Sequence, residues 1–353
     1  MEKKRDLNLD LIRCTALLMV PTMHGLDHVD IYGVSLHTPG DLVMMTVKIL
    51  FTCCIPLWIM LTGWLCRGRR FEKRYYLGYL RIYTVYLLCS ILCLGFDRFV
   101  MHEEIGLREF FGAIVNFYSS DYAWYIMMYT GLFLMIPFLN LMYNSLQTGR
   151  QKRVLVLTFM ALSVLPSLLN LYVQLWSVWW KMLYPICYYF TGAYLAEYLP
   201  RRRPGRLFAA LAVWLAGYAC FFFFHSHASG EALIGVYQDD FGVYVLSVLL
   251  FSALASLSLD GLGAGLRRFL VRISELSLAM YLLTWLPDRF CYPILMSRVP
   301  EIRGRYIWLP LIVCISLSAA GLLAVPVTAL ASRLSGALRA RLEAAFEKGG
   351  APS

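Results

Sequence analysis

Runs of about twenty mostly apolar, almost uncharged residues recur from one end of this chain to the other. Each is long enough to cross the hydrocarbon core of a bilayer. Inside that core every backbone N–H and C=O has to be satisfied within the protein, so such a run is predicted to be a helix. Windows of this length place ten candidate spans at 9–28, 42–66, 75–96, 124–146, 153–172, 177–199, 206–225, 241–259, 269–288 and 307–332. The expected architecture is an all-α, polytopic membrane protein. Composition agrees, because 15% of residues are charged, whereas soluble domains carry about 25%.

A net charge of +10 could point to nucleic acid, but its distribution points to topology. With ten spans, the loops and adjoining span ends on the side of the two termini carry 22 Lys and Arg and those on the opposite side seven. The other three, Arg13, Lys48 and Arg81, fall inside spans. Positive residues favour the cytoplasmic side, so both termini are expected there and no nucleic-acid partner is needed. The opening "MEKKRD" resembles the basic start of a signal peptide, but "MHGLDHVD" offers no small-residue cleavage site, and an uncleaved span is expected. Ten cysteines include no C-x-x-C pair and no Cys/His cluster at zinc spacing; most read as small packing hydrophobes. The loop near 97–123 has the apolar spacing of a short interfacial helix. Residues 1–332 read as one membrane domain, and 333–353 as a basic amphipathic tail on the inner membrane surface.

The first span contains "RCTALLMVPTMH", with Arg13 and His24 eleven residues apart. Ionisable groups within a span are expensive and point to function by default. Eleven residues are about three helical turns, which places both side chains on nearly one face, roughly 16 Å apart. Arg13 is expected just inside the cytoplasmic edge and His24 most of the way across. The structural alternatives are an Arg13 that snorkels or pairs with Asp10, and a packing or interfacial His24. In "YYLGYLRIYTVYLL", Arg81 lies about two turns into the third span, at a depth similar to Arg13. Two arginines at matching depth suit a phosphate-bearing ligand, since the guanidinium offers a planar fork of donors. Lys73, Arg74, Arg69 and Arg70 would extend the same positive funnel. The alternative is an Arg81 paired with Glu197 or Glu275.

Four stretches together resemble the membrane-bound acyltransferase type 3 family. "LDLIRCTALLMVPTMH" is similar to its first helix, with Arg13 and His24 on an R-x10-H motif. "IPLWIMLTGWL" is similar to the second helix, with Thr62-Gly63 where the family usually has Ser-Gly. "WYIMMYTGLFLMIPFLN" resembles the Trp-Tyr helix closing in Pro-Phe-Leu-Asn, and "ISELSLAMYLL" the late helix with Ser and Tyr-Leu. They occur in family order over nearly the whole chain.

The resemblance implies transfer of an acyl group, expected to be acetyl, from cytoplasmic acyl-CoA to a hydroxyl of a bacterial cell-envelope saccharide, in the cytoplasmic (inner) membrane. Acyl-CoA would be a donor substrate, with no tightly bound cofactor and no metal. It implies that His24 serves as the base or first takes the acyl group, with Arg13, Arg81 and Arg74 facing the donor's phosphates. Asp27 and His28, at i+3 and i+4, could orient the His24 ring. Trp124, Tyr125 and Tyr281 become candidates for contacting or orienting substrate. Two positions depart from the family pattern: Gly78 stands where an R-x-x-R pair would have its first arginine, with Arg74 one turn earlier, and Thr284 stands where Tyr-Leu-x-His would end. A transporter or flippase for an envelope precursor would also place charges at midmembrane, but the halves of the chain show no repeat.

Overall fold

The computed structural model describes residues 5–170, 173–199, 203–229 and 236–349. Helix makes up 82% of the structure, with no strand among the described residues, which is the all-α class expected. In chain order the helices are α1 Leu7–His28, α2 Pro39–Phe51, α3 Cys54–Cys66, α4 Lys73–Leu77, α5 Tyr79–Phe99, α6 Leu107–Val115, α7 Trp124–Ser145 and α8 Gly149–Ser163. They continue with α9 Pro166–Leu169, α10 Tyr184–Tyr198, α11 Pro204–Ser229, α12 Phe241–Ala255, α13 Ala264–Leu283, α14 Trp285–Arg298, α15 Ile302–Arg305 and α16 Leu309–Gly349.

Local chemistry sets several helix starts. Asp6 caps α1 by accepting the Asn8 amide at 3.0 Å. Thr38 and Asp41 form a reciprocal capping box at α2, with Pro39 at its first position, and Thr148 and Gln151 do the same at α8. Five segments are long and apolar enough to cross a membrane: Pro39–Cys66, Lys73–Phe99, Asp121–Ser145, Pro204–Ser226 and Ile302–Ala345. The α13–α14 pair, bent by 50° at Thr284, makes a sixth if counted as one span. Every other predicted span overlaps a helix, but α1, α8, α10 and α12 do not meet that length and hydropathy test.

The described residues group into two compact units. The first comprises Met1–Gly68, Asn140–Glu275 and Cys291–Val313. Its centre is α3, buried from Cys54 through Leu61. Lipid tails are as apolar as leucine, so helices in a bilayer gain by close packing more than by hydrophobic burial, and small residues let backbones meet. A Cβ on Gly63 would strike the Tyr189 carbonyl, and one on Gly192 the Met60 carbonyl, so these two glycines set the α3–α10 contact. Asn140 ties the same region together: its amide donates to the Cys66 carbonyl at 2.7 Å and its oxygen accepts from the Tyr189 hydroxyl at 2.7 Å.

The second unit comprises Arg69–Leu139, Leu276–Phe290 and Cys314–Ser353. Hydroxyl-to-carbonyl bonds link its helices. Tyr75 donates to the Phe133 carbonyl at 2.7 Å and stacks on the Phe133 ring, and Tyr86 donates to the Ile114 carbonyl at 2.8 Å. The short helix expected in the 97–123 loop is α6. The tail expected from 333 does not begin a new helix. α16 runs unbroken for 41 residues through Pro326, because a proline inside a long helix removes one ladder bond and leaves the rest to carry it on.

Candidate active site

α1 holds its polar side chains in two groups, one toward each end. In the first, Arg5 donates to both carboxylate oxygens of buried Asp10, at 2.7 and 2.8 Å, and to Glu275 at 2.7 Å. The Ser274 hydroxyl of α13 donates to Asp10 at 2.6 Å and accepts from Arg13 Nη1 at 2.7 Å. Arg13 lies 3.7 Å from the Asp10 carboxylate, so the pairing weighed for it from sequence is made at ion-pair distance. Its side chain stays 27% exposed. The network holds the guanidinium in one orientation.

The second group surrounds His24, one turn after Pro21. Gly25 is needed here because a Cβ would run into the Tyr292 hydroxyl, and the Tyr292 ring stacks on His28 with centroids 4.7 Å apart. Asp27 forms an ion pair with Lys48 of α2. The two partners sit in different surroundings: the Lys48 side chain is 2% exposed and that of Asp27 40%. The Lys48 ammonium also lies 5.3 Å from the centre of the Tyr32 ring. Burial and the neighbouring Asp27 carboxylate push the Tyr32 phenol up. Lys48 and His28 both lie close enough to His24 to act on it electrostatically. Asp27, expected to orient the imidazole, is thus engaged by a buried lysine. Sequence reasoning located Lys48 within a span but gave it no role; its signal was a cation amid apolar residues.

In the second unit, Arg74 on α4 and Arg81 in the first turn of α5 are both exposed, and Arg81 makes no ion pair among the described residues. The acids considered as its partners are engaged otherwise: Glu197 binds Lys152 and Glu275 binds Arg5, each at 2.7 Å. Gly78 is the single residue between α4 and α5. Its amide donates to the Tyr75 carbonyl at 3.0 Å, and a Cβ there would stand 2.9 Å from that same oxygen. Gly78 nevertheless keeps helical backbone angles, φ −61° and ψ −26°, so Lys73–Phe99 runs on as one apolar segment with Arg81 about two turns from its start, as expected.

Trp124 opens α7, with Tyr125 packed edge-on against both Trp124 and Tyr281, at 6.3 and 5.6 Å. Tyr281 donates to the Tyr122 carbonyl at 2.5 Å, and the Tyr122 hydroxyl donates to Asp288 at 2.7 Å. Ser316 also donates to Asp288. Tyr122, just ahead of the Trp-Tyr helix, therefore links Tyr281 of the late Tyr-Leu helix to a buried carboxylate. Sequence reasoning passed over Asp288, the last residue of the predicted ninth span. Thr284 marks the break between α13 and α14, its hydroxyl donating to the Tyr281 carbonyl at 2.8 Å.

In chemical terms the first unit offers an imidazole beside a buried lysine paired with a partly exposed aspartate, and a hydrogen-bonded guanidinium on the imidazole's own helix. The second offers two exposed guanidiniums and an aromatic cluster. No curated protein and no solved structure matches the chain. The family model for an acyltransferase domain matches residues 6–329, which takes in every one of these side chains except Arg5. With that match over most of its length and apolar helices of spanning length, the chain belongs to the acyltransferase 3 family and is a membrane acyltransferase.

Proposed function

We propose that this protein takes an acyl group, acetyl in the first instance, from acyl-CoA at the cytoplasmic face and places it on a hydroxyl of a cell-envelope saccharide. The observation that carries the reading is His24 and Asp27 on α1, with Lys48 of α2 paired to Asp27, three turns from Arg13 and inside the family match. In the transfer the thioester C–S bond breaks and a C–O ester bond forms. His24 takes the proton of the acceptor hydroxyl and passes it to the departing thiolate, or first holds the acyl group on a ring nitrogen. Arg13, Arg81 and Arg74 attract the phosphates of the donor, and Trp124, Tyr125 and Tyr281 supply aromatic surface for orienting substrate.

The same reading takes ten helices as spans, with the shorter α1, α8, α10 and α12 crossing beside the longer ones. It places both termini in the cytoplasm and the protein in the cytoplasmic membrane of a bacterial cell. The 22-to-seven imbalance of basic residues between the two sides supports that orientation. The test is labelled acetyl-CoA supplied to the purified protein with a saccharide acceptor. Label appearing in ester linkage on the saccharide, with CoA released, supports transfer. Label that stays on CoA under every acceptor tried sinks it.

A further inference from the structure

Within the first unit, but on helices that carry none of the residues assigned to acyl transfer, lies a cavity of about 260 Å³. Its wall is aromatic: Trp214, Tyr218, Phe221 and Phe222 of α11 and Phe241 of α12. The α11 segment is only 22% buried within the protein, so most of its surface is left to the surrounding lipid. Two of the rings are fixed by neighbours. Trp214 Nε1 donates to the Gly242 carbonyl at 3.2 Å, and Tyr218 lies so close over Gly242 that any Cβ there would strike the ring. Tyr218 and Phe222 meet edge to face at 4.9 Å.

One carboxylate opens into this aromatic wall. Asp240 is 8% exposed and accepts the Tyr237 amide at 2.8 Å, but it forms no ion pair among the described residues. The nearby lysine, Lys181, pairs with Asp239 at 2.7 Å instead. The other titratable side chains on the wall are His225, stacked on Phe221, and the Tyr218 phenol. A buried anion without a counter-charge is costly, and aromatic faces carry negative potential that attracts cations. A bare metal ion would need several oxygen ligands, whereas the cavity offers one carboxylate in a mainly aromatic wall, and its Ser167 hydroxyl is engaged with the Val164 carbonyl and the Phe241 amide.

We propose that this cavity binds an organic ammonium group, with its alkyl substituents against the faces of Trp214, Tyr218 and the phenylalanines and its charge toward Asp240. Burial already pushes the Asp240 carboxyl up to about 6, and a bound cation supplies the compensation that its ionised form lacks. Such a group belongs to a free alkylammonium solute or to the headgroup of a lipid beside α11.

The test is calorimetric titration of the full-length protein, in a maltoside detergent, with choline and with 3,3-dimethylbutan-1-ol, its uncharged carbon isostere. Choline is expected to bind about tenfold tighter than the isostere, the difference a desolvated cation–aromatic contact supplies. Asp240→Asn is expected to remove that advantage and leave the isostere unchanged. Trp214→Leu, tested beside it in case the first variant does not fold, is expected to weaken choline about tenfold. Equal binding of the two ligands, or choline binding unchanged in the soluble variants, overturns the assignment. Nanodiscs separate the sources: choline weakened in phosphatidylcholine relative to phosphatidylglycerol identifies a lipid headgroup, and equal affinity a free solute. No acyl transfer enters the readout, so this result stands apart from the proposed enzymatic activity.

Discussion

The Lys48–Asp27 pair gives an asymmetric prediction. Lys48 is 2% exposed and its partner 40%, so the desolvation cost falls almost wholly on the lysine. Two unit charges about 4 Å apart attract by roughly 4 kcal/mol at an effective dielectric near 20, and the half-exposed carboxylate brings the usable share below that. The buried ammonium costs several kcal/mol to desolvate, so the pair as a whole is close to neutral. Lys48→Met, which keeps the side-chain volume and removes the charge, should therefore change stability by no more than about 1 kcal/mol, because Asp27 returns to solvent. Asp27→Ala leaves the ammonium buried without its carboxylate, beside the Tyr32 ring, and should cost about 3 kcal/mol. The double variant should behave like Lys48→Met alone. Thermal unfolding of the four proteins in one detergent should place Asp27→Ala well below three similar midpoints. If Lys48→Met falls as far as Asp27→Ala, the desolvation reasoning is wrong.

Three further outcomes follow from the geometry. Arg81→Ala, at an exposed position with no ion pair among the described residues, should raise the KM for acyl-CoA severalfold with the unfolding midpoint unchanged; an unchanged KM with lost expression would assign Arg81 a structural role. Gly25→Ala should displace Tyr292 from its place beside His28 and lower kcat, and a crystal structure or activity like wild type would show that the contact has room to relax. Asp240 is an acid whose folded value is raised to about 6, so the folded state holds its proton more tightly. That contribution is full below pH 4, is lost as pH rises through 6, and amounts to about 3 kcal/mol. Asp240→Asn should therefore match wild type at pH 4 and unfold at higher temperature than wild type at pH 7.5; a pH-independent difference contradicts the reading.

Much of this architecture was legible because membrane helices leave a strong one-dimensional record. The R-x10-H spacing on α1 follows from the helical period alone, and α1 spans both residues without interruption. Breaks were harder to see. Thr284 marks a 50° bend in mid-run, and no cluster of turn-forming residues around it announces the change of direction. Pro137 lies inside α7, which runs to Ser145 in line with the predicted 124–146 span, since the loss of one backbone bond is tolerated while neighbouring turns hold. Partners on other helices were the least accessible. Lys48 could be placed in a span, but only the fold brings it to Asp27. Asp288 gains its meaning from Tyr122 and Ser316, which lie 166 and 28 residues away in sequence.

The most direct measurement compares wild type and His24→Ala for transfer of labelled acetyl from acetyl-CoA to a saccharide acceptor, using protein of equal monodispersity. We expect the label on the acceptor to fall at least a hundredfold in the variant, the scale of losing a positioned general base. Full transfer by His24→Ala would remove the imidazole from the chemistry and leave α1 as scaffold.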